Sequence, residues 1–307
     1  MRMCLARLRP AWWSRCYHAL FRSSFAGGVV STGRDARLIA MATFRSTCLM
    51  LACLTVLAAG QPALAAAGAP GACHAASGPG TLPLVELFTS EGCSSCPPAD
   101  RWLSKTFPPG TKAPPDAAVL AYHVDYWDQL GWRDRFANAA YTERQYAAMR
   151  VNHARVVYTP QVLLQGRDRG IWQDTSARNG LHALAETPPR ARIALDVRYE
   201  SDGIAIDVDA TSLTRSGKPV VILALTESGL GSEVRAGENA GVRLTHDHVV
   251  RAFETGPAFD PQGKASGTVR LPLPRERGRD ALIVAFVQDR STGEVLQSIV
   301  LPLCPPS

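Results

Sequence analysis

The sequence predicts an α/β domain over residues 81–188 and a smaller all-β domain, antiparallel and sandwich-like, over residues 189–307. Two observations lead to this fold class. In the first region, apolar runs of strand length alternate with helical patterns. In the second region, seven short β-rich runs follow one another without a helix, separated by Gly, Pro, Asp and Ser. The pattern changes near residues 187–192, where we place the boundary.

The first domain has predicted strands and helices in alternation. Apolar runs place strands at residues 84–88, 118–124 and 161–164, with a short strand near 171–172. Predicted helices begin at Pro97 and cover residues 136–151 and 175–186. Pro97 and Pro98 suit a first helical turn, because the N–H group that proline lacks has no helical partner there.

The second domain shows strand patterns only. Its runs cover residues 193–199, 204–210, 220–225, 248–253, 267–273, 281–287 and 295–301. Short strands at this spacing, with turn residues between them, are typical of an antiparallel sandwich.

Residues 1–65 have the anatomy of an export leader. Arg45 precedes an apolar stretch over residues 48–59, which is followed by small residues suited to signal-peptidase cleavage. We expect a signal peptide over residues 41–65, a flexible lead-in over 66–80, and a secreted or periplasmic mature protein. The Arg-rich, acid-poor leader leaves an organellar transit peptide as the alternative. No later apolar run is long enough to span a membrane.

The formal net charge of +6 comes from the leader. Residues 1–65 contain eight arginines and one acid, which leaves 25 basic and 26 acidic residues in the rest of the chain. No block of Lys and Arg lies outside the leader. The basic composition therefore gives no reason to expect nucleic acid as a partner.

Four of the eight cysteines lie beyond the leader, at positions 73, 93, 96 and 304. An even number of cysteines in an exported protein indicates disulfides. Cys93 and Cys96 are natural partners because they stand three residues apart. Cys73 and Cys304 would then form a structural disulfide that ties the two ends together, with two free thiols as the alternative.

The Cys93–Cys96 pair follows a predicted strand and precedes a predicted helix. A helix N-terminus stabilises a thiolate through its partial positive charge and free N–H groups. The first cysteine of such a pair is normally the attacking thiol, and the second resolves the mixed disulfide. A purely structural disulfide and half of a zinc site are the alternatives, although no second Cys/His pair stands at finger spacing.

Long motifs resemble a secreted bacterial family that has a thioredoxin-like fold and is described only as a domain of unknown function. The similar segments are residues 85–100, 123–128, 130–136, 158–161, 244–247 and 249–251. This resemblance implies a thioredoxin-like fold for the α/β domain and a dithiol that is redox-active. It implies no established substrate.

The resemblance also implies roles for three residues near the dithiol. Pro160 matches a cis-proline that receives an extended substrate, and Thr159 would offer its backbone groups beside the sulfurs. Glu86 corresponds to a buried acid that helps to deprotonate the resolving thiol, although it stands one residue further from Cys93 than in thioredoxins. A carboxylate that faces water is the alternative for Glu86. Thioredoxin reductants have a Trp directly before the first cysteine and a Gly-Pro pair between the two cysteines. Here Gly92 precedes Cys93 and Ser94-Ser95 separate the cysteines, so the direction of electron flow stays open.

Residues 123–136 form the densest cluster of polar and aromatic side chains. His123 and Trp127 follow a predicted strand, and we expect them at the edge of the sheet that carries the dithiol. They would bind substrate or modulate the reactivity of the cysteines. The alternative is that these residues only pack the loop, through Asp–Arg pairs and aromatic contacts. Copper held by His123 with the two cysteines is a further alternative, because these are soft N and S ligands.

The sequence thus predicts an exported thiol–disulfide oxidoreductase that acts on a protein or small-molecule disulfide and has no cofactor besides its own disulfide. Its predicted site consists of Cys93, Cys96 and Glu86 as catalytic residues, and His123, Trp127, Thr159 and Pro160 as substrate-binding residues. We expect no metal, either there or at His246 and His248. The alternatives are a non-catalytic binding module with a structural Cys93–Cys96 disulfide, and a copper-handling protein. The sequence leaves two questions open: whether the dithiol turns over, and what the oligomeric state of the protein is.

Overall fold

The computed structural model describes residues 73–110, 115–170 and 176–304. The predicted leader and signal peptide, the first part of the lead-in and the short strand near 171–172 lie outside the described residues. No helix of the described part combines the length and the apolar character needed to cross a bilayer.

Helices occupy a small part of the described chain. They are α1 (Pro97–Thr106), α2 (Ala139–Val151) and α3 (Ser176–Ala185), and one 3-10 turn covers Asp128–Leu130. The first strands are β1 (His74–Ala76), β2 (Leu84–Thr89), β3 (Ala118–His123), β4 (Gln161–Leu164) and β5 (Arg167–Asp168). The later strands are β6 (Ala191–Tyr199), β7 (Gly203–Ser212), β8 (Pro219–Ser228), β9 (Leu230–Glu233), β10 (Arg243–His246), β11 (Val249–Thr255), β12 (Lys264–Pro272), β13 (Arg279–Asp289) and β14 (Val295–Pro302).

An eight-stranded mixed sheet runs through both predicted regions, in the order β14-β13-β8-β11-β3-β2-β4-β5. The two halves join where β11 pairs in parallel with β3, with Val249 opposite Ala121 and the Ala121 N–H donating to the His248 carbonyl at 2.8 Å. The remaining large sheet has the order β1-β6-β7-β12, and β9 and β10 form a hairpin. In the four-stranded sheet, the edge strand β1 lies inside the segment expected to be a flexible lead-in.

The predicted fold class is therefore wrong. The protein is mostly β-sheet, with one large mixed sheet and one antiparallel four-stranded sheet, and it is not an α/β thioredoxin-like fold followed by a separate all-β sandwich. Most individual strands and helices lie where the sequence patterns place them. The error concerns pairing: β3 has an open edge, and β11 from the second region pairs with that edge at Ala121.

Side chains alternate between the two faces of the large sheet, which decides what each residue of β2 contacts. Leu84 and Phe88 pack in the core that includes Tyr141 of α2. Val85 and Leu87 pack in the core that includes Leu103 of α1. Residue 86 therefore belongs to the α2 face, whereas α1 covers the opposite face.

Candidate functional site

The Cys93–Cys96 pair forms a disulfide in the segment between β2 and α1. Its Cα atoms are 5.4 Å apart, and Cys96 is the N-cap residue of α1. Both cysteine side chains are fully buried, whereas Ser94 and Ser95 between them are exposed. The disulfide is thus buried, and the hydroxyl of the exposed Ser95 lies 3.3 Å from Cys93 Sγ.

The turn between β9 and β10, residues 234–242, hydrogen-bonds to the segment that carries the dithiol. The Glu238 carboxylate accepts hydrogen bonds from the Ser94 N–H at 3.0 Å and the Ser94 hydroxyl at 2.7 Å. The Asn239 amide donates to the carbonyls of Glu91 at 2.8 Å and Cys93 at 3.0 Å. This turn comes from the second predicted region, so both halves of the chain build the site.

Three predicted substrate-binding residues border the dithiol segment. The Thr159–Pro160 peptide bond is cis, and the Thr159 carbonyl lies 3.5 Å from the Ser95 hydroxyl that donates to it. The Trp127 indole N–H donates to the Thr159 hydroxyl at 2.8 Å. The structure therefore brings Trp127, Thr159 and Pro160 together beside Ser95.

Glu86 lies elsewhere. It is buried on the α2 face of the sheet, where its carboxylate pairs with the Arg144 guanidinium at 2.5 Å. Arg144 also lies over the rings of Tyr122 and Phe286, at 5.6 and 4.9 Å from the ring centroids. Since α1 covers the opposite face, the structure does not bring Glu86 to the dithiol.

His123 lies at the end of β3 in a fully buried pair. Its Nδ1–H donates to the Asp134 carboxylate at 2.6 Å, and the same carboxylate accepts the Glu91 N–H at 2.9 Å. The His123 ring meets the His246 ring edge to face, with centroids 4.8 Å apart. The predicted residue is thus part of a buried polar cluster and has no exposed surface for a substrate.

A second histidine joins this cluster to the dithiol segment. His246, at the end of β10, places Nε2 at 3.2 Å from Glu91 and Nδ1 at 3.7 Å from Asp100. Asp100 lies in the first turn of α1, and its other carboxylate oxygen accepts the Thr89 hydroxyl at 2.9 Å. The Trp132 indole N–H donates to Glu91 at 2.7 Å. We call the five titratable residues of this region the acid–imidazole cluster: Glu91, Asp100, His123, Asp134 and His246.

Burial and pairing shift the ionisation of the cluster in opposite directions. Burial alone favours the neutral acids, and it raises the pKa of Asp100. For Glu91, burial is outweighed by the hydrogen bonds from His246, Ser232 and Trp132 together, which lower the pKa. For Asp134, burial is outweighed by the charge and hydrogen bond of His123 together with two backbone N–H groups, which also lower the pKa. Burial would lower the pKa of His123, but the carboxylates of Asp134, Asp100 and Glu91 together raise it. The cluster therefore favours anions at Glu91 and Asp134 and a cation at His123.

The remaining predicted groups are placed as follows. Cys73 and Cys304 form a disulfide with a Cα–Cα distance of 5.7 Å. His246 and His248 do not share a strand face, because β10 ends at His246 and His248 has a left-handed φ of 57°. Within the described ranges, no three His, Cys, Asp or Glu side chains are grouped so that they could hold a metal ion.

Sequence reasoning missed Glu91, Asp100, Asp134, Asn239 and His246 as site residues. The signal for Asp134 was available, because it lies in the polar and aromatic segment that follows β3. Asp100 was available in the first turn of a predicted helix. The positions of Asn239 and His246 depend on the β9–β10 hairpin, which the strand patterns did not predict.

Solved structures resemble this chain over most of its length. Protein AGR_C_4864 from Agrobacterium tumefaciens is 28% identical, and the match covers 74% of this chain and 96% of that chain with a TM-score of 0.54. HBP35 of Porphyromonas gingivalis is 12% identical, with 75% and 78% of the two chains covered and a TM-score of 0.56. The second likeness concerns the fold alone.

The comparison with curated proteins gave no match. The family model for a protein of unknown function, DUF1223, matches residues 84–288, which include the dithiol, the acid–imidazole cluster and the turn that covers them. The chain belongs to this family, DUF1223.

Proposed function

We propose that the protein carries out thiol–disulfide exchange through Cys93 and Cys96, with a disulfide in a protein or small molecule as the partner. One observation carries this proposal: a short-range disulfide begins α1 and is flanked in the chain by Glu91 and Asp100, two members of a buried acid–imidazole cluster. A disulfide that serves only to stabilise a fold does not need titratable groups near it. A dithiol that exchanges with a disulfide gains and loses protons, and it therefore needs neighbouring groups that accept and donate them.

The exchange is balanced by the two cysteines alone. In the reduced protein, the Cys93 thiolate attacks one sulfur of the partner disulfide, and the partner's other sulfur leaves as a thiolate. Cys96 then loses its proton and attacks the Cys93 sulfur of the mixed disulfide, and the partner's second sulfur leaves. The protein ends as the Cys93–Cys96 disulfide and the partner as two thiols; the reverse sequence reduces the protein.

Access to the sulfurs requires movement, because both cysteine side chains are buried in the oxidised protein. The covering contact between Glu238 and Ser94 is exposed to solvent, and hydrogen bonds of exposed loops open more readily than those of a core. We infer that displacement of residues 234–242 uncovers the disulfide. The same burial favours the competing function, a binding module in which Cys93–Cys96 is a structural bridge.

We also propose that the protein works outside the cytoplasm. The leader at residues 1–65 supports export, and it lies outside the described residues. The two disulfides fit an oxidising compartment, where such bonds form and persist.

Trapping of the mixed disulfide tests the proposal. Reduced full-length Cys96→Ser protein, mixed with oxidised glutathione, should hold one glutathione on Cys93, whereas wild-type protein should release it and close its own disulfide. The Cys73→Ser/Cys304→Ser protein is the matched control and should exchange like the wild type. A Cys93 that forms no adduct in native protein, but does so after unfolding in urea, would support the structural bridge instead.

A further inference from the structure

The imidazole of His246 lies between two carboxylates that flank the dithiol in the chain. Glu91 stands two residues before Cys93, and Asp100 stands four residues after Cys96. His246 Nε2 is 3.2 Å from Glu91 Oε1, and Nδ1 is 3.7 Å from Asp100 Oδ2. All three side chains are at least nine-tenths buried.

Proton positions in this triad follow from the donor and acceptor chemistry. Glu91 is held as an anion, so His246 Nε2 carries a hydrogen and donates it. In the neutral ring Nδ1 then carries a lone pair. This lone pair faces a carboxyl oxygen of Asp100, and Nδ1 has no hydrogen-bond partner among the residues that the structure describes. A lone pair and a carboxylate repel each other. The arrangement is therefore favourable only with a proton between them, either on Asp100 or on Nδ1.

Other elements add charge around this proton. His123 from β3 lies edge-on to His246, and Asp134 from the segment before α2 holds His123. The pKa of Asp100 is raised by burial, which brings this carboxyl closer to the range of a thiol. Proton transfer is most efficient between groups of similar pKa. Thr89 occupies Asp100 Oδ1, which leaves Oδ2 as the oxygen that faces His246.

We propose that His246 is a positioning residue that shares a proton with Asp100, and so gives the Cys93–Cys96 pair a buried proton acceptor during exchange, a relay from Cys96 through Asp100 to His246. This inference rests on the proposed function. When the dithiol is oxidised by a disulfide, the Cys96 thiol must lose its proton while water is excluded. The Cys96 proton moves to the Asp100 carboxylate, where it is shared with His246 Nδ1. The Cys96 sulfur bonds to the Cys93 sulfur, and the partner leaves as a thiolate that is protonated by solvent.

The reoxidation rate of reduced full-length protein by oxidised glutathione, measured from pH 5.5 to 9.5, tests the relay. Glutamine has nearly the size of histidine and can hydrogen-bond to Glu91, but it cannot carry a proton. We expect His246→Gln to slow reoxidation at pH 7 on the order of a hundredfold. At pH 9.5 the thiols ionise without help, so the loss should be less than about threefold.

His248→Gln is the matched control, because His248 is also buried and its Nε2 hydrogen-bonds to the Phe107 carbonyl, outside the cluster. It should leave the pH profile unchanged. Asp100→Asn should reproduce the loss at pH 7, and it provides the test should His246→Gln fail to fold. Thr89→Val removes a donor that favours the ionised Asp100, so the rise of the profile should move to higher pH.

The outcomes separate the relay from the exchange function. A loss of the same size at every pH would mean that His246 is only structural, and no loss at any pH would mean that no relay exists; either result overturns the inference while exchange stands. Wild-type protein that does not reoxidise even at pH 9.5 would overturn the proposed exchange function together with the relay.

Discussion

Two buried carboxylate centres lie only five residues apart on one segment of chain, and they differ in the cation that each carboxylate meets. Glu86 within β2 pairs with the guanidinium of Arg144, which keeps its charge at every relevant pH. Glu91, just beyond β2, meets the imidazole of His246, whose charge depends on the proton. Both carboxylates are fully buried. The difference teaches that burial alone does not mark a reactive acid, because the partner decides whether protons can move.

Breaking the Glu86–Arg144 centre should have the largest effect on stability. Arg144→Met leaves Glu86 as an unpaired buried charge, and such changes cost about 3–5 kcal/mol of unfolding free energy. Urea unfolding at pH 7 measures the loss. Exchange of the Cys93–Cys96 pair should stay at the wild-type rate, because this centre lies on the other face of the sheet. The double variant Glu86→Gln/Arg144→Met should recover part of the stability. A slowed exchange with intact folding would contradict the separation of the two centres.

Breaking the acid–imidazole cluster at Asp134 should have a smaller effect on stability. The Asp134 carboxylate accepts hydrogen bonds from His123, the Glu91 N–H and the Phe136 N–H. Asp134→Asn leaves at least one of these donors unpaired, which we expect to cost about 2 kcal/mol. Unfolding by urea at pH 5.5 measures this loss. A change below about 0.5 kcal/mol would mean that the cluster contributes little to the fold.

The pH dependence of stability should report the same cluster. The pKa values of Glu91 and Asp134 are lowered in the folded protein, so their contribution is complete above the ordinary carboxyl range and is lost as the pH falls below about 4. The pKa of His123 is raised, so its contribution is complete below about pH 6.5 and is lost as the pH rises through the folded value. Asp100 acts in the opposite sense on the acid side, because its raised pKa makes ionisation unfavourable to folding.

Urea midpoints from pH 3 to 8 should therefore pass through a maximum near pH 5 to 6. Asp134→Asn should flatten the alkaline side, because His123 then loses the main carboxylate that raises its pKa. Wild-type protein whose stability rises steadily up to pH 8 would contradict the assigned directions.

The smallest effect is expected at the turn over the dithiol. Asn239→Ala removes two hydrogen bonds that hold the dithiol segment. Reduction of the native disulfide by dithiothreitol should become about fivefold faster, the equivalent of about one hydrogen bond. Trapping of new thiols with iodoacetamide follows the reaction, and Arg243→Ala at the start of β10 is an exposed control. An unchanged rate would mean that residues 234–242 do not limit access.

Local structure could be predicted from the sequence, since periodicity reports the face that a strand or helix buries. The strands at 84–89, 118–123 and 161–164 and the helix from Pro97 follow the predicted positions closely. Their assembly could not be predicted in this way. The pairing of Val249 with Ala121 uses backbone groups of an open edge, and no side-chain pattern records such a contact.

The candidate site was predictable in part for the same reason. Cys93 and Cys96 could be predicted as a pair because they stand only three residues apart in the chain. Glu86 was misplaced because a resemblance assigned its role, whereas strand alternation puts it on the face of α2. His246 and Asn239 were missed because they reach the dithiol only through a hairpin that comes about 150 residues later in the chain.

The equilibrium between the Cys93–Cys96 disulfide and its dithiol tests the central claim most directly. Full-length protein is titrated in glutathione redox buffers at pH 7, the free thiols are trapped, and modification at residues 93 and 96 is quantified separately from that at the other six cysteines. Exchange predicts a reduction potential within the range of exchange proteins, roughly −120 to −270 mV. A potential below about −300 mV, with sulfurs that stay unreactive in the native protein, would contradict exchange and identify the disulfide as a structural bridge.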